Sequence, residues 1–178
     1  MLTHRTGVPA RRPEWRSHYN FKVRDAFNQA RFRVDTGPWA DLRAAASAVR
    51  EQVFIIEQGI ARTLEWDQWD ALSLHAVARH DAGEALGTAR LLPREFDAAA
   101  PATGHVGRMA VLAHARGAGV GSRLLKSLME AAPGFGFTQI LLNAQVRVAG
   151  FYARHGFIAE GDEFLEVDIP HVRMRTML

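Results

Sequence analysis

The chain has 178 residues, enough for one domain that buries about two-thirds of its unfolded surface. Its hydrophobic fraction of 48% and charged fraction of 23% are those of a folded globular protein. Cysteine is absent, which excludes disulfides, thiolate zinc sites and a cysteine nucleophile. No apolar stretch reaches the ~18 residues of a membrane span, and Met1–Arg16 lacks the apolar core of a signal peptide. The sequence therefore predicts a cytoplasmic protein with no membrane partner.

The net charge of +3 is unevenly distributed along the chain. Residues 1–33 carry eight basic and two acidic side chains, or +6, which leaves −3 for the remainder. A basic arm can bind nucleic acid or an acidic surface. Too few aromatic residues are interleaved with these arginines to favour nucleic acid. We therefore predict a basic N-terminal extension over residues 1–30, with at most a short helix near residues 24–31, followed by one domain over residues 31–178.

The first half of that domain alternates strand and helix patterns. Pro38 is well placed at the first turn of a helix. Apolar side chains then recur at spacings of three and four, which is typical of one face of an amphipathic helix: Trp39, Leu42, Ala46, Val49 and Val53. The strands predicted here are 30–35, 72–79, 85–92 and 106–112, with a polar, tryptophan-containing segment at 64–70 and a loop at 93–103.

The second half continues the alternation. A helical period resumes at Val120 and ends at Pro133-Gly134. Ile140-Leu141-Leu142 is wholly apolar, as expected of a strand buried on both faces. A helix is predicted over residues 148–155, and strands over 164–167 and 172–177. This order predicts a mixed α/β (α+β) domain with one central sheet flanked by helices.

A glycine-rich turn lies between the strand at 106–112 and the helix that begins at Val120. Gly117, Gly119 and Gly121 alternate there, directly after Arg116. Glycine allows a tight turn and close approach to a ligand. The first amides of a helix lack intrahelical partners and favour an anion, and an arginine adds donors suited to phosphate. The turn predicts a phosphate or pyrophosphate site, although a turn used only for packing is the alternative.

Two common phosphate-binding loops are excluded by their spacing. A Walker A loop ends in Gly-Lys-Ser/Thr, but Gly121 is followed by Ser122-Arg123. The dinucleotide fingerprint Gly-x-Gly-x-x-Gly requires a glycine where this chain has Ser122.

The sequence Arg116-Gly117-Ala118-Gly119-Val120-Gly121 resembles the Arg/Gln-x-x-Gly-x-Gly/Ala signature of the GNAT acyltransferases. Residues 106–112 are similar to that family's cofactor-binding strand, and residues 150–157 resemble its later Phe-Tyr-x-x-x-Gly-Phe element. Residues 53–58, 143–145 and 169–171 are similar to the ElaA-like branch of the family. The resemblance covers residues 31–178.

This resemblance implies the GNAT fold, a twisted mixed sheet splayed between its fourth and fifth strands. It implies acetyl-CoA as cosubstrate and an amine as acceptor, and it leaves a homodimer open. The backbone of Met109 and Val111 would bind the pantetheine arm. Gln145 stands where many relatives have an asparagine that contacts the cofactor. The pyrophosphate would lie against the turn and the start of the helix: Arg116, Gly117, Gly119, Val120, Gly121 and Ser122.

The implied reaction is direct attack of a neutral amine on the thioester. Tyr152 stands where the family has a tyrosine near the sulfur, so it is the candidate acid and a cofactor contact, with packing as its alternative role. An amine of pKa ~10.4 must also lose a proton at neutral pH. Glu57 and His171 are the candidate bases.

Three acidic residues near the expected acceptor side could attract a cationic substrate: Glu65, Asp67 and Asp70, with Trp66 and Trp69 placed for cation–π contact. His75 is predicted to be a packed or hydrogen-bonded strand residue. The histidines lack ligand spacing, so no metal site is predicted.

Three functions remain open at this point. The favoured one is an N-acetyltransferase. The second is a non-catalytic CoA-binding GNAT module that acts as a sensor or scaffold, and Tyr152 argues against it. The third is a nucleic-acid-associated protein that uses its basic arm, which would bind in a strongly salt-dependent way.

Overall fold

The computed structural model describes residues 32–100 and 102–178, and the chain from Arg31 to Leu178 forms one compact unit. The basic extension over 1–30 and the helix predicted at 24–31 lie outside the described residues. The described part contains one seven-stranded sheet of order β1-β2-β3-β4-β5-β7-β6. Its strands are β1 (Phe32–Pro38), β2 (Leu74–His80), β3 (Ala85–Leu91), β4 (Thr103–Val111), β5 (Gln139–Gln145), β6 (Ile158–Glu166) and β7 (Ile169–Met177).

The helices lie between these strands. They are α1 (Trp39–Arg50), α2 (Arg62–Glu65), α3 (Val120–Ala131) and α4 (Ala149–Ala153). The π-helical segment (Glu51–Glu57) continues α1, and short 3₁₀ turns occupy Gln68–Leu72, Arg94–Asp97, Ala113–Ala115, Ala132–Phe135 and Val146–Val148. Among residues 32–100 and 102–178, no helix has the length and apolar character needed to cross a bilayer.

Alternate residues of β2 show that helices cover both faces of the sheet. Val77 is fully buried in a cluster with Leu42 and Ala46 of α1. Its neighbours Ala76 and Ala78 are buried in the main core with the apolar face of α3. Because successive strand residues point to opposite faces, α1 and α3 lie on opposite sides of the sheet. The periodicities that predicted both helices therefore describe their buried faces correctly.

The parallel pair β4–β5 opens part of the way along its length. It is paired only from Thr103–His105 of β4 to Gln139–Leu141 of β5, while β4 continues to Val111. Beyond these pairs β5 is held on its other side by β7, through to Gln145. We call the opening between the two strands beyond His105 and Leu141 the interstrand cleft. The predicted mixed α/β fold, with a sheet splayed between strands 4 and 5, is confirmed.

Several element boundaries differ from the predictions. The α-helical turns end at Arg50, and the wider π-helical turns carry Val53 and Phe54 together into the core. β4 begins at Thr103, before the apolar run, because Thr103–His105 pair with β5. Gly104 allows Ile140 and Phe137 to approach closely. β6 begins six residues before the predicted strand. Its residues are mostly exposed at the sheet edge, so no alternation marks it.

Candidate active site

The glycine-rich turn adopts the backbone conformation that its glycines allow. Gly117 and Gly119 both have φ of 83°, a left-handed conformation that other residues rarely adopt. Gly119 is the N-cap of α3 and supplies no side chain to the first helical amides. The amides of Val120, Gly121 and Ser122 therefore lack intrahelical partners, and the helix dipole favours an anion before them. These residues fit a pyrophosphate group.

The wall of the cleft next to this turn is formed by the end of β4. Arg90 pairs with Gly107 and Thr88 with Ala110, so β4 has one extra residue between these pairs. The amide of Leu112 donates to the carbonyl of Leu86 at 2.9 Å. By the alternation of an antiparallel pair, the backbone of Met109 and of Val111 faces the cleft. These groups can bind an extended ligand as an added strand.

Tyr152 lies against the same wall. Its hydroxyl donates to the Met109 thioether at 3.5 Å, and the side chain is 8% exposed. Burial raises the pKa of Tyr152 to about 12. Gly121 lies beside Met109 and Phe151, the two residues next to the Tyr152 hydroxyl and ring. A Cβ at Gly121 would be 3.4 Å from the Met109 methyl and 3.4 Å from the Phe151 ring. The turn, the cleft wall and the tyrosine are therefore neighbours in the structure.

Arg116 is held by two different groups. Its Nε donates to the carbonyl of Val111 at 2.9 Å. Its Nη1 and Nη2 donate to the two carboxylate oxygens of Glu57 at 2.8 and 2.6 Å. This hydrogen-bonded guanidinium lowers the pKa of Glu57. The candidate base and the candidate pyrophosphate-binding arginine therefore form a bidentate ion pair.

The opposite wall of the cleft ends at Gln145 of β5. The Gln58 side chain accepts a hydrogen bond from Gln145 Nε2 at 3.0 Å, and Gln145 Oε1 accepts one from Arg147 at 2.9 Å. His171 of β7 pairs with Gln145 across the sheet and is 8% exposed. Its Nδ1 lies 2.7 Å from the carbonyl of Ile169. A carbonyl only accepts, so Nδ1 carries the proton and Nε2 carries the lone pair of the neutral ring.

Ser122 and His155 join the start of α3 to the end of α4. The Ser122 hydroxyl and His155 Nε2 are 2.9 Å apart. The Phe151 ring packs edge-on against the His155 ring at 4.8 Å. This contact fixes α3 next to the element that carries Tyr152.

The prediction that Glu65, Asp67 and Asp70 attract a cationic substrate is wrong, because arginines of the protein neutralise them. Asp70 accepts from Arg50 at 2.7 Å and from Arg90 at 2.6 Å. The remaining pairs complete a network of three carboxylates and three guanidinium groups: Arg50–Glu65 at 2.6 Å, Arg90–Asp67 at 2.6 Å, Arg108–Glu65 at 3.3 Å and Arg108–Asp67 at 3.3 Å. Burial opposes ionisation of Asp67, but the hydrogen bond and charge of Arg90 outweigh it and lower its pKa.

The tryptophans of this segment contact protein groups as well. The Arg50 guanidinium lies 4.4 Å from the centre of the Trp66 ring, and Trp69 packs edge-on against Phe96 at 5.4 Å. His75 is buried, and its Nε2 lies 2.8 Å from the carbonyl of Asp70, as predicted for a hydrogen-bonded strand residue. Within residues 32–100 and 102–178, no three histidine or carboxylate side chains form a group able to hold a metal ion.

Sequence reasoning missed the three arginines of the network and Gln58. Arg50 follows Ala46 by four residues and therefore lies on the buried face of α1. A charged residue on that face was the signal in the sequence that could have indicated a buried ion pair. Arg108 has φ of 49° in the β4 bulge, which no local pattern indicates.

An interstrand cleft that ends at a glycine turn with unpaired helical amides defines a site for an extended ligand that carries a phosphate group. The family model "Acetyltransferase (GNAT) family" matches residues 39–157, and the chain belongs to this family. An uncharacterized N-acetyltransferase, YjcF of Bacillus subtilis, is 35% identical over 127 residues, which are 71% of this chain and 86% of YjcF.

Solved structures share the fold. An acyl-CoA N-acyltransferase from Pseudomonas aeruginosa has a TM-score of 0.70 and 31% identity, covering 82% of this chain and 99% of its own. Escherichia coli ElaA has a TM-score of 0.71 and 24% identity over 82% of this chain and 99% of its own. The resemblance to the GNAT family is therefore confirmed, and the chain shares its fold with ElaA.

Proposed function

We propose that this protein is an N-acetyltransferase that moves an acetyl group from acetyl-CoA to an amine by direct attack. The observation that carries this proposal is the cleft itself, which joins the glycine turn to the Tyr152 hydroxyl. The turn and Arg116 would hold the pyrophosphate. The backbone of Met109 and Val111 would bind the pantetheine arm.

Tyr152 would stabilise the leaving thiolate. In the reaction the amine nitrogen forms a bond to the thioester carbon, the carbon–sulfur bond breaks, and the nitrogen loses a proton. A thiol of pKa ~8.5 leaves without full protonation. The pKa of Tyr152, about 12, lies above that value. Its hydroxyl would therefore donate a hydrogen bond to the sulfur rather than transfer its proton completely.

His171 is the better of the two candidate bases. Its Nδ1–H is held by the Ile169 carbonyl, which leaves the basic lone pair on Nε2. It lies beside Gln145 at the end of β5. Glu57 is paired with Arg116, which lowers its pKa and weakens it as a base. We therefore assign proton removal to His171, directly or through water.

A panel of amines tests this function directly. Purified protein is incubated with acetyl-CoA and small amines, polyamines, amine-containing antibiotics or peptides with free lysine and N-terminal amines. We expect release of free thiol together with an acetylated amine detected by mass spectrometry. Binding of CoA without thiol release for every amine would contradict catalysis and favour a CoA-binding sensor module.

The pH profile tests the role of Tyr152. A phenol whose pKa is raised to about 12 keeps its proton throughout the neutral and mildly alkaline range. We therefore expect kcat/KM to rise with pH as the amine is deprotonated, and to show no decline from Tyr152 up to about pH 10. A descending limb below pH 9 that disappears in Tyr152→Phe would contradict the raised pKa.

A further inference from the structure

Two consecutive residues bind polar side chains at the ends of the two walls of the interstrand cleft. Glu57 is the last residue of the π-helical segment and binds Arg116, beyond the end of β4. Gln58 follows it and binds Gln145, at the end of β5. Arg116 and Gln145 are the polar side chains assigned to the acyl donor on the two walls. Both are therefore hydrogen-bonded to the dipeptide Glu57-Gln58.

The contact with Arg116 has the geometry of a phosphate contact. A guanidinium has five N–H donors, and both of its terminal nitrogens suit the two oxygens of a carboxylate or a phosphate. Glu57 uses both terminal nitrogens, at 2.8 and 2.6 Å. A pyrophosphate at the start of α3 would bring a second anion to the same guanidinium. With Nε bound to the Val111 carbonyl, Nη1 and Nη2 are the remaining pair of donors that can hold two oxygens of one anion, and Glu57 occupies this pair. A phosphate that binds the same pair must therefore displace the carboxylate.

Arg116 does not need Glu57 to keep its orientation. Its Nε is anchored separately to the carbonyl of Val111 at 2.9 Å. This anchor lies on the cleft wall and is independent of the carboxylate. Loss of the Glu57 contact would therefore leave the guanidinium beside the turn with its terminal nitrogens open to a phosphate.

We propose that Glu57 sets the affinity for the acyl donor by occupying Arg116 until the pyrophosphate displaces it. The inference rests on the proposed function, because it takes the turn as the pyrophosphate site. Glu57 then occupies the place of the phosphate on Arg116 before the donor binds, and so weakens donor binding. On the other wall, the uncharged side chain of Gln58 occupies Gln145 in the same way, through a hydrogen bond.

Titration calorimetry with coenzyme A tests this exchange. The variant Glu57→Gln keeps the shape of the side chain but loses its charge. The ion pair is partly exposed, with 45% of the Arg116 and 33% of the Glu57 side chain accessible. We therefore expect the Kd for coenzyme A to fall about two- to fivefold. Glu51→Gln is the matched control, since Glu51 lies on the same segment and pairs with Arg62, and its Kd should stay unchanged.

The same measurement in an Arg116→Gln background distinguishes two effects of Glu57. One is the exchange of Glu57 for pyrophosphate on Arg116, and the other is direct repulsion between Glu57 and the pyrophosphate. If Glu57 acts through Arg116, adding Glu57→Gln to Arg116→Gln gives no further gain in affinity. Equal gains in both backgrounds, or weaker binding by Glu57→Gln alone, would overturn the exchange while leaving the proposed function standing. Failure of the wild-type protein to bind coenzyme A would overturn both.

Discussion

Replacing Asp70 with asparagine is expected to lower the free energy of unfolding by about 3–5 kcal/mol, the cost of breaking a buried ion pair. Asp70 is 4% exposed and bridges Arg50 and Arg90 at 2.7 and 2.6 Å. The amide of asparagine matches the carboxylate in shape but not in charge. The substitution therefore leaves two buried guanidinium groups with one anion fewer. Equilibrium urea denaturation gives the loss, and the melting temperature should fall by roughly 6–20 °C.

Asp35→Asn is the matched control for this experiment. Asp35 also bridges two arginines, Arg33 at 3.1 Å and Arg79 at 3.2 Å, but its side chain is 34% exposed. Exposed pairs contribute about 0–1 kcal/mol because water screens them. The two variants remove the same charge from the same kind of bridge and differ in burial. Equal losses of stability would show that burial of the Asp70 network does not matter.

The acidic segment shows which contacts cannot be predicted from the sequence alone. The carboxylates of residues 65–70 are visible in the sequence, but their partners are not. Asp70 is 20 residues from Arg50 and 20 from Arg90, and Asp67 is 41 from Arg108. Only the tertiary fold, which places α1, β3 and β4 next to this segment, brings these groups together. A cluster of acidic residues that resembles a binding surface in the sequence is, in the structure, a charge-balanced network in which Arg50, Glu65, Asp70 and Arg90 are buried.

The glycine turn and α3 were predictable because the rules that govern them are local. Gly119 must adopt φ of 83° to start the helix, and the inward period from Val120 is set by the same dozen residues. The π-helical segment was not predictable in this way. Its apolar residues continue the period of α1, and the wider turn is a response to packing of Val53 and Phe54 on Ala110.

The pairing of Glu57 with Arg116 also could not be predicted from local sequence patterns. The two residues are 59 positions apart, and each was assigned a role without the other. The fold of the π-helical segment back onto the end of β4 connects them. Because of this contact, we assign Glu57 to binding of the acyl donor and not to proton removal from the acceptor amine. His171 is then the remaining candidate for proton removal.

Replacing Tyr152 with phenylalanine is expected to lower kcat by about tenfold to a hundredfold, the range for one hydrogen bond to a developing charge. The ring fills the same space, so packing against Phe157 at 5.9 Å is kept. The lost group is the hydroxyl, whose hydrogen-bond partner is a thioether, a weak acceptor. Little stability is therefore lost with it, and steady-state kinetics with saturating acetyl-CoA measures its catalytic contribution.

Two further measurements separate catalysis from packing. The melting temperature of Tyr152→Phe should stay within about 2 °C of the wild-type value, because an exchange that leaves no buried group unpaired has a small effect on stability. The Kd for coenzyme A should change little, since most of the proposed binding groups, the turn and Arg116, are unaltered. Met109→Leu is the structural comparison, because it removes the sulfur that accepts from the hydroxyl and keeps the cleft wall apolar. A normal kcat in Tyr152→Phe would mean that the tyrosine only packs the cleft. A kcat reduced in Tyr152→Phe but kept in Met109→Leu would assign the effect to the hydroxyl acting on the leaving sulfur.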